Sequence, residues 1–128
     1  MNELNNDMLE KISSLPSFND ATIIVTGGAR PNPGHGACAA VVAGYPDTYL
    51  SMYLGEEVSN NTADFAALGL GLTLAIGVEA KNVKLVSDSG FAIDYVLGLA
   101  DRPVPDILKE LASHFNDTLA DQNFDSFT

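Results

Sequence analysis

Residues 23–36 read IIVTGGARPNPGHG, and this stretch decides how the rest of the chain is organised. Its β-branched beginning favours an extended strand, and the glycines and prolines that follow predict that the strand ends at Val25 in a long turn. A second apolar run, which we expect to be a strand at residues 36–43, follows at once, so the stretch is typical of a hairpin. Such a glycine-rich turn lets the backbone approach a ligand closely, although a tight connection without a binding role is the more common case.

The segments around this hairpin predict the other elements. The first strand, residues 22–25, is apolar on both faces, which is typical of a central strand. Residues 48–54 alternate tyrosine and serine with leucine and methionine, which predicts a third strand with one covered face. Further on, we expect a buried helix at residues 65–78, a strand at 83–87, helices at 91–99 and 103–122, and the start of a fifth strand at 124–128.

Before the first strand, residues 2–15 carry apolar side chains at helical spacing, and Pro16 ends the pattern. We interpret this segment as an amphipathic helix that docks on the domain or on a partner. The sequence therefore predicts an N-terminal helix and linker at residues 1–20, followed at residues 21–128 by an α/β domain with a mixed sheet.

The charge of the chain limits its partners. Seventeen acidic residues and six basic residues give a net charge of −11, and the basic residues do not cluster. Nucleic-acid binding usually depends on a basic face, so the composition argues against tight autonomous binding to a polyanion. It fits a protein with a cationic partner, one that relies on metal ions, or one from a salty cytoplasm.

The composition also bears on localisation. The beginning of the chain is polar and acidic, unlike a signal peptide, and the longest apolar segment, residues 65–78, is too short to span a bilayer. Cys38, the only cysteine, lies in an apolar run, which indicates a buried structural thiol rather than a nucleophile. We therefore expect a soluble cytoplasmic protein with no contact to a membrane.

Two carboxylates stand where an α/β sheet gathers its ligands. Asp64 is expected in the first turn of the buried helix, after the N-cap candidates at residues 59–62, and Asp88 follows the fourth strand. If they converge, they suit a hard divalent cation such as Mg²⁺. The alternative is that Asp64 is an acid favoured by the helix dipole and that Asp88 is a turn or cap residue.

Three segments resemble the motifs of ribonuclease H type 1. Residues 26–34, TGGARPNPG, are similar to its first motif, Asp-Gly-Gly-Ser/Ala-Arg-Gly-Asn-Pro-Gly. Residues 60–64, NNTAD, resemble Asn-Asn-x-x-Glu, and residues 86–89, VSDS, resemble the third motif, in which Asp-Ser closes the fourth strand. The resemblance implies a ribonuclease H-like fold, with a five-stranded mixed sheet of order 3-2-1-4-5, an antiparallel second strand and flanking helices. It also implies hydrolysis of the RNA strand of RNA/DNA hybrids by two Mg²⁺ or Mn²⁺ ions about 4 Å apart.

Departures from the family's pattern predict a degenerate active site. Thr26 stands where the family carries its first metal-binding aspartate, and a neutral hydroxyl is a poor Mg²⁺ ligand. Asp64 is one methylene shorter than the family's glutamate. The family's last helix, with its fourth aspartate, should follow the fifth strand, and the sequence ends at Thr128. His114 and Asp121 look superficially similar to that segment, but we place them on the helix before the fifth strand and interpret the match as coincidence.

The resemblance further implies substrate contacts. Asn32, Asn60 and Asn61 match family residues that contact the minor groove of the hybrid, which is how proteins recognise RNA by shape. Gly90 stands where the family often has glutamine, so one contact is lost. Turn and cap chemistry is the alternative role of the three asparagines. The implied substrate-binding residues are Gly28, Ala29, Arg30, Asn32, Asn60 and Asn61, and the implied catalytic and metal-binding residues are Asp64 and Asp88.

Three hypotheses follow. The first is a catalytically impaired or inactive ribonuclease H-like domain, a binding module whose N-terminal helix docks on a protein partner or a second copy. The second is an active, divergent ribonuclease H in which Thr26 acts through water, and Asp121 or a partner's carboxylate completes the metal site. The third is an acidic scaffold or inhibitor that uses the fold only for its shape. The net charge of −11 predicts that any binding of nucleic acid is weak.

Overall fold

A computed structural model describes residues 6–100 and 102–128 of the chain. Its elements are α1 (Asn6–Ser13), β1 (Asp20–Arg30), β2 (Gly34–Val42), β3 (Tyr45–Val58), α2 (Asn60–Gly77), β4 (Asn82–Ser87), α3 (Gly90–Val96), α4 (Asp106–Asp121) and β5 (Ser126–Phe127). The strands form one mixed sheet in the order β3-β2-β1-β4-β5. Strand β2 is antiparallel to both neighbours, whereas β1, β4 and β5 run parallel. The predicted sheet order and the antiparallel second strand are confirmed.

Strand β1 is longer than the sequence predicted. It continues through both glycines to Arg30, which pairs with His35 of β2, so only residues 31–33 make the turn. The prediction that the strand ends at Val25 was wrong because glycine adopts the extended conformation as readily as it adopts a turn. The peptide bonds before Pro31 and Pro33 are both cis.

The two faces of the sheet differ sharply. Helix α2 packs across β1 and β2, and the other three helices pack against α2. On this covered face Ile23 and Val25 are buried. On the opposite face, which we call the open face, Ile24 is 44% exposed and Val86 is 38% exposed. The first strand is central, as predicted, but only one of its two apolar faces is buried.

Helix α2 is the core of the domain. The Ser59 side chain accepts a hydrogen bond from the backbone N–H of Thr62 and caps the helix, which therefore begins at Asn60. The cap that we predicted among residues 59–62 is thus confirmed at Ser59. Asp64 accordingly lies beyond the first turn, which contains no acidic residue. The expectation that Asp64 is a first-turn acid was wrong, so the helix dipole gives little reason for its presence, because the dipole's effect falls off within that turn.

The amino-terminal helix α1 lies at the far end of α2. Ile12 and Leu15 pack against the hydrophobic core beside Gly77, and the Lys11 ammonium lies 3.5 Å from the centre of the Tyr49 ring. The amphipathic helix predicted for residues 2–15 is observed at Asn6–Ser13, so it ends two residues earlier than predicted, and residues 2–5 of that prediction lie outside the described residues. Since its apolar side contacts this domain, docking of α1 on another protein remains a prediction.

The remaining expectations from composition can be compared with the structure. Cys38 is buried, and burial raises the pKa of its thiol to about 11, which agrees with a structural role. Within residues 6–100 and 102–128, no helix is long and apolar enough to cross a membrane.

Candidate active site

The residues at the ends of β1 and β4 bring the predicted site together. Ser87, the last residue of β4, pairs with Val25 in parallel register, so the next residues, Asp88 and Thr26, follow side by side. A Cβ atom built on Gly27 would lie 2.9 Å from the backbone nitrogen of Asp64. The beginning of α2 therefore touches β1 immediately beyond Thr26, and three separate segments meet at one edge of the sheet.

The electrostatics of Asp64 indicate that its carboxyl lies near that of Asp88. Burial of the Asp64 carboxyl raises its pKa above the ordinary value of 3.8, and repulsion from Asp88 raises it further. A hydrogen bond from the side chain of Ser89 acts in the opposite direction. The Ser89 oxygen also accepts the backbone N–H of Ala92 at 3.2 Å and caps α3, which holds this serine in place.

These donors suit a single divalent cation better than two. Asp64 and Asp88 supply oxygen ligands with two negative charges, whereas Thr26 supplies an uncharged hydroxyl. In the part of the chain that the structure describes, no group of three or more His, Cys, Asp or Glu side chains could hold a metal ion. The arrangement has the chemistry of a partial metal site.

Asp121 does not complete the site. It ends α4, which leads through residues 122–125 to β5. There the backbone N–H of Asp125 donates to the carbonyl of Lys81 at 2.7 Å, just before β4 begins. Asp121 therefore belongs to the end of the sheet opposite to Asp88. His114 lies on the exposed surface of the same helix.

The asparagines tie the β1–β2 turn to α2. The Asn60 side-chain oxygen accepts the backbone N–H of Ala29 at 2.8 Å, and the Asn32 oxygen accepts the backbone N–H of Asn60 at 2.9 Å. Both oxygens thus serve the turn and cap chemistry that we gave as the alternative. The exposed amide nitrogens of Asn32, Asn60 and Asn61 have no hydrogen-bond partner among the described residues, so they are free to donate outwards.

A groove extends from this site across the open face. Its volume is about 680 Å³, and its lining reaches from Thr26 and Asn60 to Arg30 and Ser51. Sequence reasoning missed His35 and Ser51, which belong to the lining, because their place depends on the register of β2 and β3. The alternation of β3, which put its tyrosines and Ser51 on one face, was the available signal.

Neither a family model nor a curated protein matches this sequence. Solved structures do match it. The ribonuclease H1 of the halophilic archaeon Halobacterium salinarum NRC-1 is 22% identical, with a TM-score of 0.74 over 84% of this chain and 81% of that chain. The N-terminal RNase H domain of a Mycobacterium tuberculosis protein is 24% identical, with a TM-score of 0.69 over 84% of this chain and 79% of that one.

A third similar protein is LC11-RNase H1, which was isolated from compost by a metagenomic approach. It is 27% identical, with a TM-score of 0.70 over 87% of this chain and 84% of that chain. Its structure in complex with an RNA/DNA hybrid matches with 25% identity and a TM-score of 0.70, over 84% of this chain and 82% of that one. From the sheet order and these similarities, we conclude that the chain has a ribonuclease H-like fold.

Proposed function

We propose that this domain binds RNA/DNA hybrids at the edge of the sheet where Asp64 and Asp88 meet, and that it cleaves the RNA strand weakly or not at all. One observation carries the proposal: the carboxyl of Asp64 in α2 lies near enough to that of Asp88, just after β4, for the two to repel each other, and both segments meet β1 next to Thr26. Two like charges held together raise the free energy of the fold, so their placement favours a role in binding a cation. The hybrid-bound structure of LC11-RNase H1 supports the choice of ligand.

Asp64 and Asp88 would hold one Mg²⁺ or Mn²⁺ ion. When bound, such an ion supplies positive charge that polarises a phosphate oxygen of the scissile bond. Ser89 orients Asp64 through its hydrogen bond, and the capped end of α3 holds Ser89 in place. Thr26 contributes no negative charge, so Asp64 and Asp88 are the only carboxylates that we assign to the site. Two carboxylates suffice for one ion, but a two-metal mechanism needs ligands for a second ion as well.

The substrate contacts that we propose come from the exposed amides. Asn32, Asn60 and Asn61 would donate from their side-chain nitrogens to 2′-hydroxyls or base edges of the minor groove. Gly28 presents bare backbone, since no atom lies within 4 Å of where its Cβ would be. The N–H of Ala29 already donates to Asn60, so a contact of this residue with substrate would have to use another atom.

Equilibrium binding tests the proposal. Anisotropy of a fluorescein-labelled RNA/DNA hybrid, at low salt with Mn²⁺, is compared with that of a DNA duplex of the same sequence. We expect tighter binding of the hybrid, and we expect the Asp64→Asn, Asp88→Asn double variant to lose most of the Mn²⁺-dependent part. Equal affinity for both duplexes, or affinity for neither, would contradict hybrid recognition and favour an acidic interaction module.

A cleavage assay on the same hybrid tests the impairment. With Mg²⁺ or Mn²⁺ we expect little or no release of shortened RNA over the course of hours. Robust turnover that disappears in Asp88→Asn would instead support an active, divergent ribonuclease H. Since Asp121 lies at the other end of the sheet, such an enzyme would need a further carboxylate other than that of Asp121.

A further inference from the structure

We propose that the groove on the open face is a second nucleic-acid contact, in which Arg30 binds a backbone phosphate and the ring of Tyr53, which contacts His35 at the side of the groove, stacks on a base of the same strand. The inference rests on the proposed function, because the groove begins at Thr26 and Asn60 and so continues from the site at Asp64 and Asp88.

Three side chains form a row across β1, β2 and β3. Arg30 and His35 are register partners in the β1–β2 pair, so their side chains leave the same face of the sheet. The Nδ1 atom of His35 lies 2.7 Å from the hydroxyl of Tyr53, and the two rings are stacked with centres 6.0 Å apart. We call these residues the Arg30–His35–Tyr53 row. The row is tied together across three strands, so it stands on a rigid scaffold.

The groove beside this row lacks negative charge. Its lining contains small side chains, among them Ala37, Ala39 and Ser51, and contains no carboxylate. The whole chain carries seventeen acidic residues, so a groove lined without a carboxylate and with Arg30 among its lining residues is a favourable place for a phosphate. The next acids along β3, Glu56 and Glu57, are exposed and lie outside the lining. A phosphate bound by Arg30 within the groove would therefore touch no carboxylate of the lining.

A nucleic-acid strand explains the groove better than a simple anion does. An arginine suffices to bind a phosphate, but the ring of Tyr53 is 60% exposed and buries little surface in its own fold. Base stacking on an aromatic ring, next to a cation that holds the phosphate, is how proteins bind single strands without reading their sequence. The volume of about 680 Å³ also falls within the range of roughly 300–1,000 Å³ of pockets that bind small organic molecules such as a nucleotide unit.

The test is binding of labelled single-stranded RNA, and of the RNA/DNA hybrid, by Tyr53→Ala and Arg30→Ala. For Tyr53→Ala we expect affinity for the single strand to fall about fivefold or more. For Arg30→Ala we expect the slope of log K against log salt to shrink by about 0.7, the value for one phosphate contact on a single strand. Tyr53→Phe keeps the ring and should bind like the wild type, and Tyr53→Leu removes the ring while keeping apolar surface, should the alanine variant fold poorly.

Tyr49→Ala is the matched control. Tyr49 is an exposed tyrosine on the same strand and the same face, four residues away, where it pairs with Val41 and so lies farther from His35 than Tyr53 does. We expect it to leave both affinities within a factor of about two.

The outcomes separate the two proposals. If Tyr53→Ala and Arg30→Ala bind both oligonucleotides like the wild type, the groove contact is wrong while hybrid recognition stands. If these variants lose affinity for the single strand, but the wild type binds the hybrid no more tightly than it binds duplex DNA, the groove contact stands and the proposed function is wrong. If inorganic phosphate displaces the single strand from the wild type, and Tyr53→Ala binds that strand as tightly as the wild type does, the groove is only an anion site and the stacking contact is wrong. If the wild type binds neither oligonucleotide, both proposals are wrong.

Discussion

Gly27 lies directly against Ala63, and a Cβ atom at residue 27 would overlap the carbonyl oxygen of Ala63. The overlap is with backbone, and the start of α2 is held by the Ser59 cap and by the bond from Ala29 to Asn60, so neither side moves easily. The missing side chain at this position therefore sets the distance between β1 and the turn of α2 that carries Asp64.

We expect Gly27→Ala to destabilise the fold by roughly 1–3 kcal/mol or more, because the new methyl group pushes the backbone of α2 away from the strand. Gly28→Ala is the control on the same strand, since no atom lies within 4 Å of its Cβ position, and it should change stability by less than about 1 kcal/mol. Urea denaturation measures both, and equal losses would show that the close approach is not what makes residue 27 sensitive.

A second pair of glycines, inside α2, gives an independent prediction of packing. A Cβ atom on Gly71 would lie 2.5 Å from Cγ1 of Val25 and 2.6 Å from Cδ1 of Leu85, whereas Gly69 has nothing within 4 Å. We expect Gly71→Ala to cost about 1–3 kcal/mol through overpacking. Gly69→Ala should stabilise the helix by up to about 1 kcal/mol, because alanine is the better helix former. Thermal denaturation of the two variants decides this, and a gain in Gly71→Ala would contradict tight packing of α2 on the sheet.

Much of the fold follows from local pattern. The alternation of residues 48–54 predicted a strand with one covered face, and the unbroken apolar run from Phe65 predicted a buried helix; the structure has both. The sheet order came instead from the resemblance of three motifs. Asp64 and Asp88 are remote in sequence, and we expected them to converge because one lies near a helix start and the other at a strand end; the resemblance agreed with that expectation.

The rest depends on contacts that the sequence does not display. Gly27 continues a strand because α2 lies against it, and the same dipeptide elsewhere would make a turn. The open face could not be predicted from Ile24 and Val86, because apolar residues on both sides of a strand usually mean burial on both. The row across β1, β2 and β3 depends on strand register, which sequence spacing leaves undetermined.

The raised pKa of Asp64 makes stability depend on pH. Burial first, and repulsion from Asp88 second, raise this pKa above 3.8, so the folded protein binds the proton more tightly than the unfolded chain does. The contribution of this proton to the free energy of unfolding is therefore complete below about pH 3.8, and it is lost as the pH rises through the pKa of Asp64 in the folded protein. We expect Asp64→Asn to have a higher Tm than the wild type at neutral pH, with a difference that vanishes at the acidic end.

The control for this prediction is Asp94→Asn, which removes one exposed negative charge from α3 without charged residues three or four positions away. It should change the Tm little, and equally at each pH. Mn²⁺ adds a second comparison, because it should raise the Tm of the wild type more than that of Asp64→Asn. A higher Tm for Asp64→Asn that persists unchanged at low pH would mean that charge is not the cause.

The last prediction concerns Thr26, which lies beside Asp88 at the end of the two central parallel strands. Thr26→Asp adds the third carboxylate, so we expect Mn²⁺ to bind at least tenfold more tightly, as measured by calorimetry, and hybrid cleavage to appear or increase. Without metal, the added charge faces two others and should lower the Tm. Thr22→Asp is the matched control, because Thr22 lies on the same strand and the same face but pairs with Lys84, far from Asp88. A gain in metal affinity of equal size in both variants would reflect net charge alone, and no gain in either would contradict a metal site at Asp64 and Asp88.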